Sequence, residues 1–251
     1  NGLSPAWDEN MAYSFHKYWS GNNQSSVQYL IDLRNSTNRP LWLGETGENS
    51  NKWFTDCVEL MKTNNIGWAW WPHKKTQSIA GPLSAYLLPG YQNLINYWTN
   101  GGTPPSVTTA MNALMAQANM LLIENCVYQK DVIDALMRQP SNTITIPFAN
   151  NQIPGIVYAT NYDLGKLLYA YNDVDYENTG NGGVWNRGYN YRNDGVDIEA
   201  CSDFSSNGFN VGWIETGEWL KYIVNVAQSG LYDLKLNIAA PSTGGKMLLL
   251  L

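Results

Sequence analysis

In "RPLWLGETGENSNKW", residues 39 to 53, an apolar strand of Leu41, Trp42 and Leu43 runs through Gly44 and delivers an acid, Glu45, where a loop should begin. A carboxylate placed at a strand end is open to substrate and can serve as nucleophile or base. "FHKYW" offers His16 and Tyr18, which share a face because strand side chains alternate with period two. "GWAWW" ends on Trp71. If the three segments are neighbouring strands, carboxylate, imidazole, phenol and indole gather on one rim, and acid chemistry beside an aromatic floor suits a sugar ring. Glu48 is the rival carboxylate, but it falls in the loop. Taken singly, His16 reads as a structural histidine and Trp71 as a core tryptophan. Trp42, Trp68 and Trp70 are assigned to packing.

The elements that must position these groups are legible as an alternation. "MAYSFHKYW" reads as a strand. "SSVQYLIDLRNS" follows with Val27, Leu30, Ile31 and Leu33 at mostly helical spacing behind a Ser/Asn-rich cap. "PLWLGE" is the second strand. "KWFTDCVELMKTNN" puts Phe54, Cys57, Val58 and Met61 on one helix face. "IGWAWW" is the third strand and "YQNLINYW" another helix. This rhythm predicts βαβ units with a parallel sheet. Two further helices are expected, one carrying Val107, Met111, Leu114, Met115, Ala118 and Leu122 as a core stripe, the other Val132, Ile133, Leu136 and Met137. "QPSNTITIPFANNQIPG" reads as a linker or an entering strand. Short runs split by Gly, Asn and Asp then predict a β-sandwich, with "AQSGLY" as a turn between two strands and "DVDYEN" as a solvated loop.

Composition bounds the classes. Of the 251 residues only 14% are charged, while 11 are Trp and 16 Tyr, giving many flat faces for neutral partners. A formal net charge of −6 argues against nucleic acid, which calls for basic patches. No run approaches the roughly 20 apolar residues of a membrane span. Cys57, Cys126 and Cys201 have no paired spacing and read as buried free thiols. The chain opens at "NGLSPAWDEN" without Met and closes inside the apolar "KMLLLL", which reads as a piece of a longer protein.

On "FHKYW", "LWLGETG" and "GWAWW", in that order and spacing, the region resembles glycoside hydrolase family 5, the retaining cellulase and mannanase family. The resemblance implies that residues 1–140 are the C-terminal portion of a (β/α)8 TIM barrel, its last three strands and C-terminal helices. It makes Glu45 the nucleophile, with His16 and Tyr18 orienting it and Trp71 the stacking platform. Retaining hydrolysis needs a second carboxyl about 5 Å away to protonate the leaving oxygen. In that family it follows an Asn on a strand that would precede Asn1, so the chain by itself is expected to be inactive.

After a 141–152 linker, "IPGIVYATNYD", "GYNYRNDGVDIEA", "FNVGWIETGEWLKYIVNV" and "SGLYDLKLNIAA" resemble carbohydrate-binding module family 6. That implies a partial jelly-roll β-sandwich over 153–251 and a sugar-stacking aromatic at Tyr191, with Tyr189 as fallback. Trp213 and Trp219 read as sandwich core, Glu199 and Glu218 as structural. The family's calcium ligands fall here on Tyr158 and Thr160, which lack the carboxylates calcium prefers, so no cofactor is expected. Together the two resemblances imply a secreted, monomeric endo-β-glycanase. β-1,4-glucan leads as its polysaccharide substrate, with mannan or xylan behind, and neither nucleic acid nor membrane is expected as a partner. The alternative is a non-catalytic polysaccharide-binding protein.

Overall fold

Strand and helix alternate through β1 (Tyr13–Lys17), α1 (Gln28–Thr37), β2 (Leu41–Gly47), α2 (Asn51–Thr63) and β3 (Gly67–Trp71). The structure, a computed structural model, describes residues 6–180, 184–240 and 244–251. The three strands form one parallel sheet in the order β1-β2-β3. Asn23 Oδ1 accepts from Ser26 N at 3.0 Å in the 3-10 turn that precedes α1, and Ser50 Oγ caps α2 by accepting from Trp53 N. The apolar stripes land as the spacing predicts. Val27, Leu30 and Ile31, and Trp53, Phe54, Cys57, Val58 and Met61, are buried against Tyr13, Leu41 and Leu43 of the sheet. Each such large apolar side chain contributes roughly 1.5–3 kcal/mol.

Beyond the sheet come β4 (Lys74–Thr76), β5 (Leu83–Ala85), α3 (Pro89–Asn100), α4 (Val107–Met120), β6 (Val127–Tyr128) and α5 (Lys130–Met137). β4, β5 and β6 make a second small sheet. Val132 and Leu136 of α5 enter the main core, while Met137 is exposed. The methionine stripe of α4 does not become core. Val107, Met111, Leu114, Met115 and Leu122 are exposed, and Gln117 is the buried residue of the helix, donating to Tyr86 O and accepting from Leu88 N. Periodicity is a local property that fixes the face of a helix; burial needs a neighbour, and no described residue covers this face.

The remaining strands are short: β7 (Asn151–Ile153), β8 (Tyr171–Asn172), β9 (Ile198–Ala200), β10 (Phe209–Val211), β11 (Trp219–Leu220) and β12 (Val224–Val226). They pair as β9/β10 and β8/β11, both antiparallel, and β7/β12, parallel. Their core is Tyr162, Leu167, Ala170, Tyr171, Val196 and Ile198. Several expectations need correction here. Trp213 and Trp219 are half-exposed, at 46% and 40%, not core. "LYDLKLNIAA" forms no strand: Leu231, Leu236 and Ile238 are exposed, because a strand needs a ladder partner and the described residues offer none. Asp173 in "DVDYEN" is buried, and Asp175 pairs with Arg187 at 3.1 Å. The 141–152 segment is docked: Ile146 bridges to Leu164, and Phe148 lies under the cations of Lys130 and Arg192.

The two units meet through a buried polar hub. Asn51 Nδ2 donates to Asp131 Oδ2 at 2.8 Å and to Asp194 Oδ1 at 2.9 Å, while Asn51 N donates to Asn193 O at 2.7 Å. Asn193 N donates to Asp131 Oδ2 and its Nδ2 to Asn49 O. Arg192, 1% exposed, donates to Asp194 and to the carbonyls of Tyr162 and Asp163. A buried guanidinium costs several kcal/mol unless it is paired and hydrogen-bonded; this one is both.

Candidate functional site

The two faces of the main sheet differ. Tyr13, Phe15 and Lys17 on β1, Leu41, Leu43 and Thr46 on β2, and Trp68 and Trp70 on β3 lie toward the helices: Thr46 Oγ1 approaches Cys57 Sγ, and Trp70 packs on Trp53 and Phe54. By alternation the opposite face carries Ser14, His16 and Tyr18, then Trp42 and Glu45, then Trp71. That face is open, with Trp42 at 42% and Trp71 at 53% exposure. Trp42 therefore lies outside the packed core, unlike Trp68 and Trp70.

Glu45 reaches the open face because of a bulge. Leu43 and Glu45, two residues apart, would share a face in a regular strand, and Leu43 is fully buried against the helices. The register shifts between Phe15 and His16 on one side of β2 and between Leu43 and Thr46 on the other. This irregularity moves Glu45 out and Thr46 in. Glycines flank it for steric reasons: a Cβ on Gly44 would sit 2.3 Å from Ser14 Oγ, and one on Gly47 (φ 139°) 1.8 Å from the Trp71 carbonyl oxygen. So β2 does not stop at Glu45, as the sequence suggested, but continues to Gly47.

At the bulge Tyr18 Oη donates to Glu45 Oε1 at 2.8 Å, and His16 Nδ1 lies 3.9 Å from Glu45 Oε2. Burial, then the hydrogen bond to Glu45, then the charges of Glu45 and Glu48 push the Tyr18 phenol well up, so it stays a donor. His16, Tyr18 and Glu45 are thus brought together. Trp71 stands on the same face, in register with Gly47, two residues past Glu45. Glu48, the rival carboxylate, has its Oε1 held by Lys75 Nζ at 2.7 Å. One neighbour went unassigned in the sequence, Trp19. It is 48% exposed, its ring lies 5.5 Å from Tyr18, its backbone has φ 40°, and its Nε1 donates to Glu48 O at 3.2 Å. The signal was present, an aromatic directly after Tyr18, but the left-handed backbone that sets the indole upright is not readable from one sequence.

In the second unit Tyr191 is half-buried. Its ring stacks on Phe209 at 4.8 Å, meets Phe148 edge-on, and its hydroxyl donates to Asn161 Oδ1 at 2.7 Å. That ring packs rather than presenting a free platform. Tyr189 is the more open, 40% exposed and perpendicular to Trp185. Glu199 and Glu218 hold local structure, accepting from Asn210 Nδ2 and from the amides of Val174 and Glu215. Thr160 is fully buried and bonded to Asn207, and with Tyr158 beside it the residues present do not fit a calcium ion. Among the described residues no group of three or more His, Cys, Asp or Glu is arranged to hold a metal. Cys57 is buried, Cys126 and Cys201 are half-buried, and all three are free. No described helix is long and apolar enough to cross a membrane.

Comparison with known families assigns part of this second unit. Residues 188–251 match the model described as carbohydrate binding module (family 6). A module for binding carbohydrate therefore lies in that stretch, which falls within the 153–251 expected from the motifs. No curated protein matches the chain.

Proposed function

We propose that residues 1–140 are the C-terminal portion of a (β/α)8 barrel of the glycoside hydrolase family 5 type, carrying the nucleophile of a secreted, retaining endo-β-glycanase. Residues 153–251 hold its polysaccharide. β-1,4-glucan is the first substrate, with β-mannan and xylan behind it. The observation that carries this reading is the carboxylate of Glu45 on an open sheet face, held by the Tyr18 hydroxyl with His16 beside it and Trp71 on the same face. In the reaction Glu45 attacks the anomeric carbon as the bond to the leaving oxygen breaks. That oxygen takes its proton from a second carboxyl, which Glu48, committed to Lys75, does not supply.

An activated leaving group needs no such proton, which makes the nucleophile testable alone. A 2-deoxy-2-fluoro-cellobioside bearing dinitrophenolate should label Glu45 covalently, as read by mass spectrometry of peptides, and Glu45→Gln should abolish the label. Absence of a label, or a label on Glu48 instead, overturns the assignment. The second reading, a polysaccharide binder with a non-catalytic rim, is favoured by the binding-module match. It expects sugar binding without any adduct.

A further inference from the structure

The sandwich unit packs against the rim that presents Glu45, and it brings aromatic side chains with it. Asn49, two residues past Gly47, donates from Nδ2 to Asn178 O at 2.7 Å and accepts from Asn178 N at 3.0 Å. Gly180 lies so close to the Trp19 carbonyl that a Cβ would stand 2.7 Å from it. On the other side, Tyr189 Oη is 3.4 Å from Ser78 Oγ, in the loop after β4. Tyr189 also lies within electrostatic reach of Lys75 and Glu48, the ion pair beside Trp19. Contacts thus run from Glu45 through Tyr18, Trp19 and Glu48 to Lys75, and from Ser78 to Tyr189, with Lys75 and Tyr189 within electrostatic reach of each other. Exposed aromatic rings stand at the start of this path (Trp19) and at its end (Tyr189), where Tyr189 meets the half-buried Trp185 at 89°.

The two units are tied at Asn49–Asn178 as well as at Ser78–Tyr189, and Asn51, two residues past Asn49, belongs to the buried hub with Asn193, Asp131 and Asp194. The relation between rim and sandwich aromatics is preorganised, so a ligand bridging them does not lose the entropy of aligning two tethered parts. A polymer of flat, uncharged rings is the ligand such a path fits: indole and phenol faces take the apolar faces of sugars, and the one ion pair on the path is already neutralised.

We infer that Trp19, Tyr189 and Trp185 form a single extended subsite, continuous with the Glu45 rim, that binds one β-linked glycan chain across both units. The inference rests on the sugar-cleaving reading above and deepens it. The second unit extends the catalytic groove and does not act as a separate site on a leash.

Titration calorimetry of the 251-residue chain with cellotriose and cellohexaose tests this, with the corresponding manno- and xylo-oligosaccharides run in parallel. The hexaose of the preferred series should bind one per chain and about tenfold tighter than the triose. Trp19→Ala and Tyr189→Ala should each bring that ratio to about one. Tyr189→Phe, which keeps the ring and loses only the hydroxyl near Ser78, should retain the gain and guards against a folding artefact. Two hexaoses per chain, equal affinity for both lengths, or a gain that survives Tyr189→Ala would overturn the inference while leaving a labelled Glu45 intact. Failure of every oligosaccharide to bind, together with no label on Glu45, would remove both.

Discussion

In the proposed role the Glu45 carboxylate has to be aimed and unencumbered, and Tyr18, His16 and Lys75 are the residues that bear on this. Tyr18 fixes one oxygen with a hydrogen bond to a charged group, a class worth about 1.5–3 kcal/mol. His16 stands by the other oxygen at a distance too long for a hydrogen bond. Lys75 occupies the competing acid, Glu48. Tyr18→Phe should therefore slow labelling of Glu45 by roughly tenfold or more, as about 1.4 kcal/mol of lost orientation would do. It should lower the unfolding free energy by no more than the hydrogen bond to Glu45 contributes, since its ring packing with Trp19 is kept. His16→Ala should act more weakly. An unchanged labelling rate in Tyr18→Phe, measured by mass spectrometry against time, would show the phenol to be a bystander. At this scale the sequence made legible the meeting of His16, Tyr18 and Glu45 on one face, because period-two alternation is local. It mislaid Tyr191, because whether a tyrosine stacks on sugar or on Phe209 depends on a residue 18 positions away in the chain.

Among the elements, β2 has the hardest task, since it must keep Leu43 in the helix-side core and yet turn Glu45 to the opposite face. The bulge does this at the cost of local pairing, and Gly47 makes room for β3 to come within contact of the rim. Gly47→Ala places a methyl carbon 1.8 Å from the Trp71 carbonyl oxygen, on a backbone with φ 139°. The strands must part at that point, and a loss of about 3 kcal/mol in unfolding free energy is expected from strain and broken pairing. Urea unfolding followed by tryptophan fluorescence would measure it, and Trp71, exposed beside the lesion, should report a local change as well. A fully stable Gly47→Ala with an unaltered rim would mean that the close approach of β3 does not matter. The three parallel strands and their helices were readable in advance because each has its own amphipathic pattern. The bulge was not, because an extra residue leaves the composition of "LWLGETG" untouched and shows only in its pairing with β1 and β3. The α4 stripe and the "LYDLKLNIAA" run fail for the complementary reason: the pattern is there, but among the described residues nothing packs against it.

For the molecule as a whole, the joint between the units is polar and buried, and this ties its stability to pH. Burial, then the neighbouring Asp194 charge, pushes the Asp131 carboxyl up from its ordinary 3.8; Arg192 and the amides of Asn193 and Asn51 oppose that rise without cancelling it. In the second unit, Asp173 is pushed up to about 7 by burial, with the Glu218 and Asp197 charges adding to it; the amide of Asp175 works the other way. Burial likewise raises Asp56, Asp163, Glu177 and Asp197. The sign follows from proton counting. Between 3.8 and about 7 the folded chain holds a proton on Asp173 that the unfolded chain has released, so stability falls as pH rises through that window and levels off above it. This is the reverse of a protein whose carboxylates are stabilised by salt bridges. The urea midpoint should therefore be higher at pH 5.5 than at pH 8, and Asp173→Asn, which stays neutral throughout, should flatten the upper part of the profile. The same experiment speaks to the joint. If docking through Asn51, Asp131 and Asp194 makes the two units unfold together, the transition should remain single at both pH values, and Asn51→Ala should split it in two. A midpoint that climbs with pH, or two transitions already in the unsubstituted chain, would mean that the buried carboxyls are not what governs the junction, and the shared groove would lose the rigid support it requires.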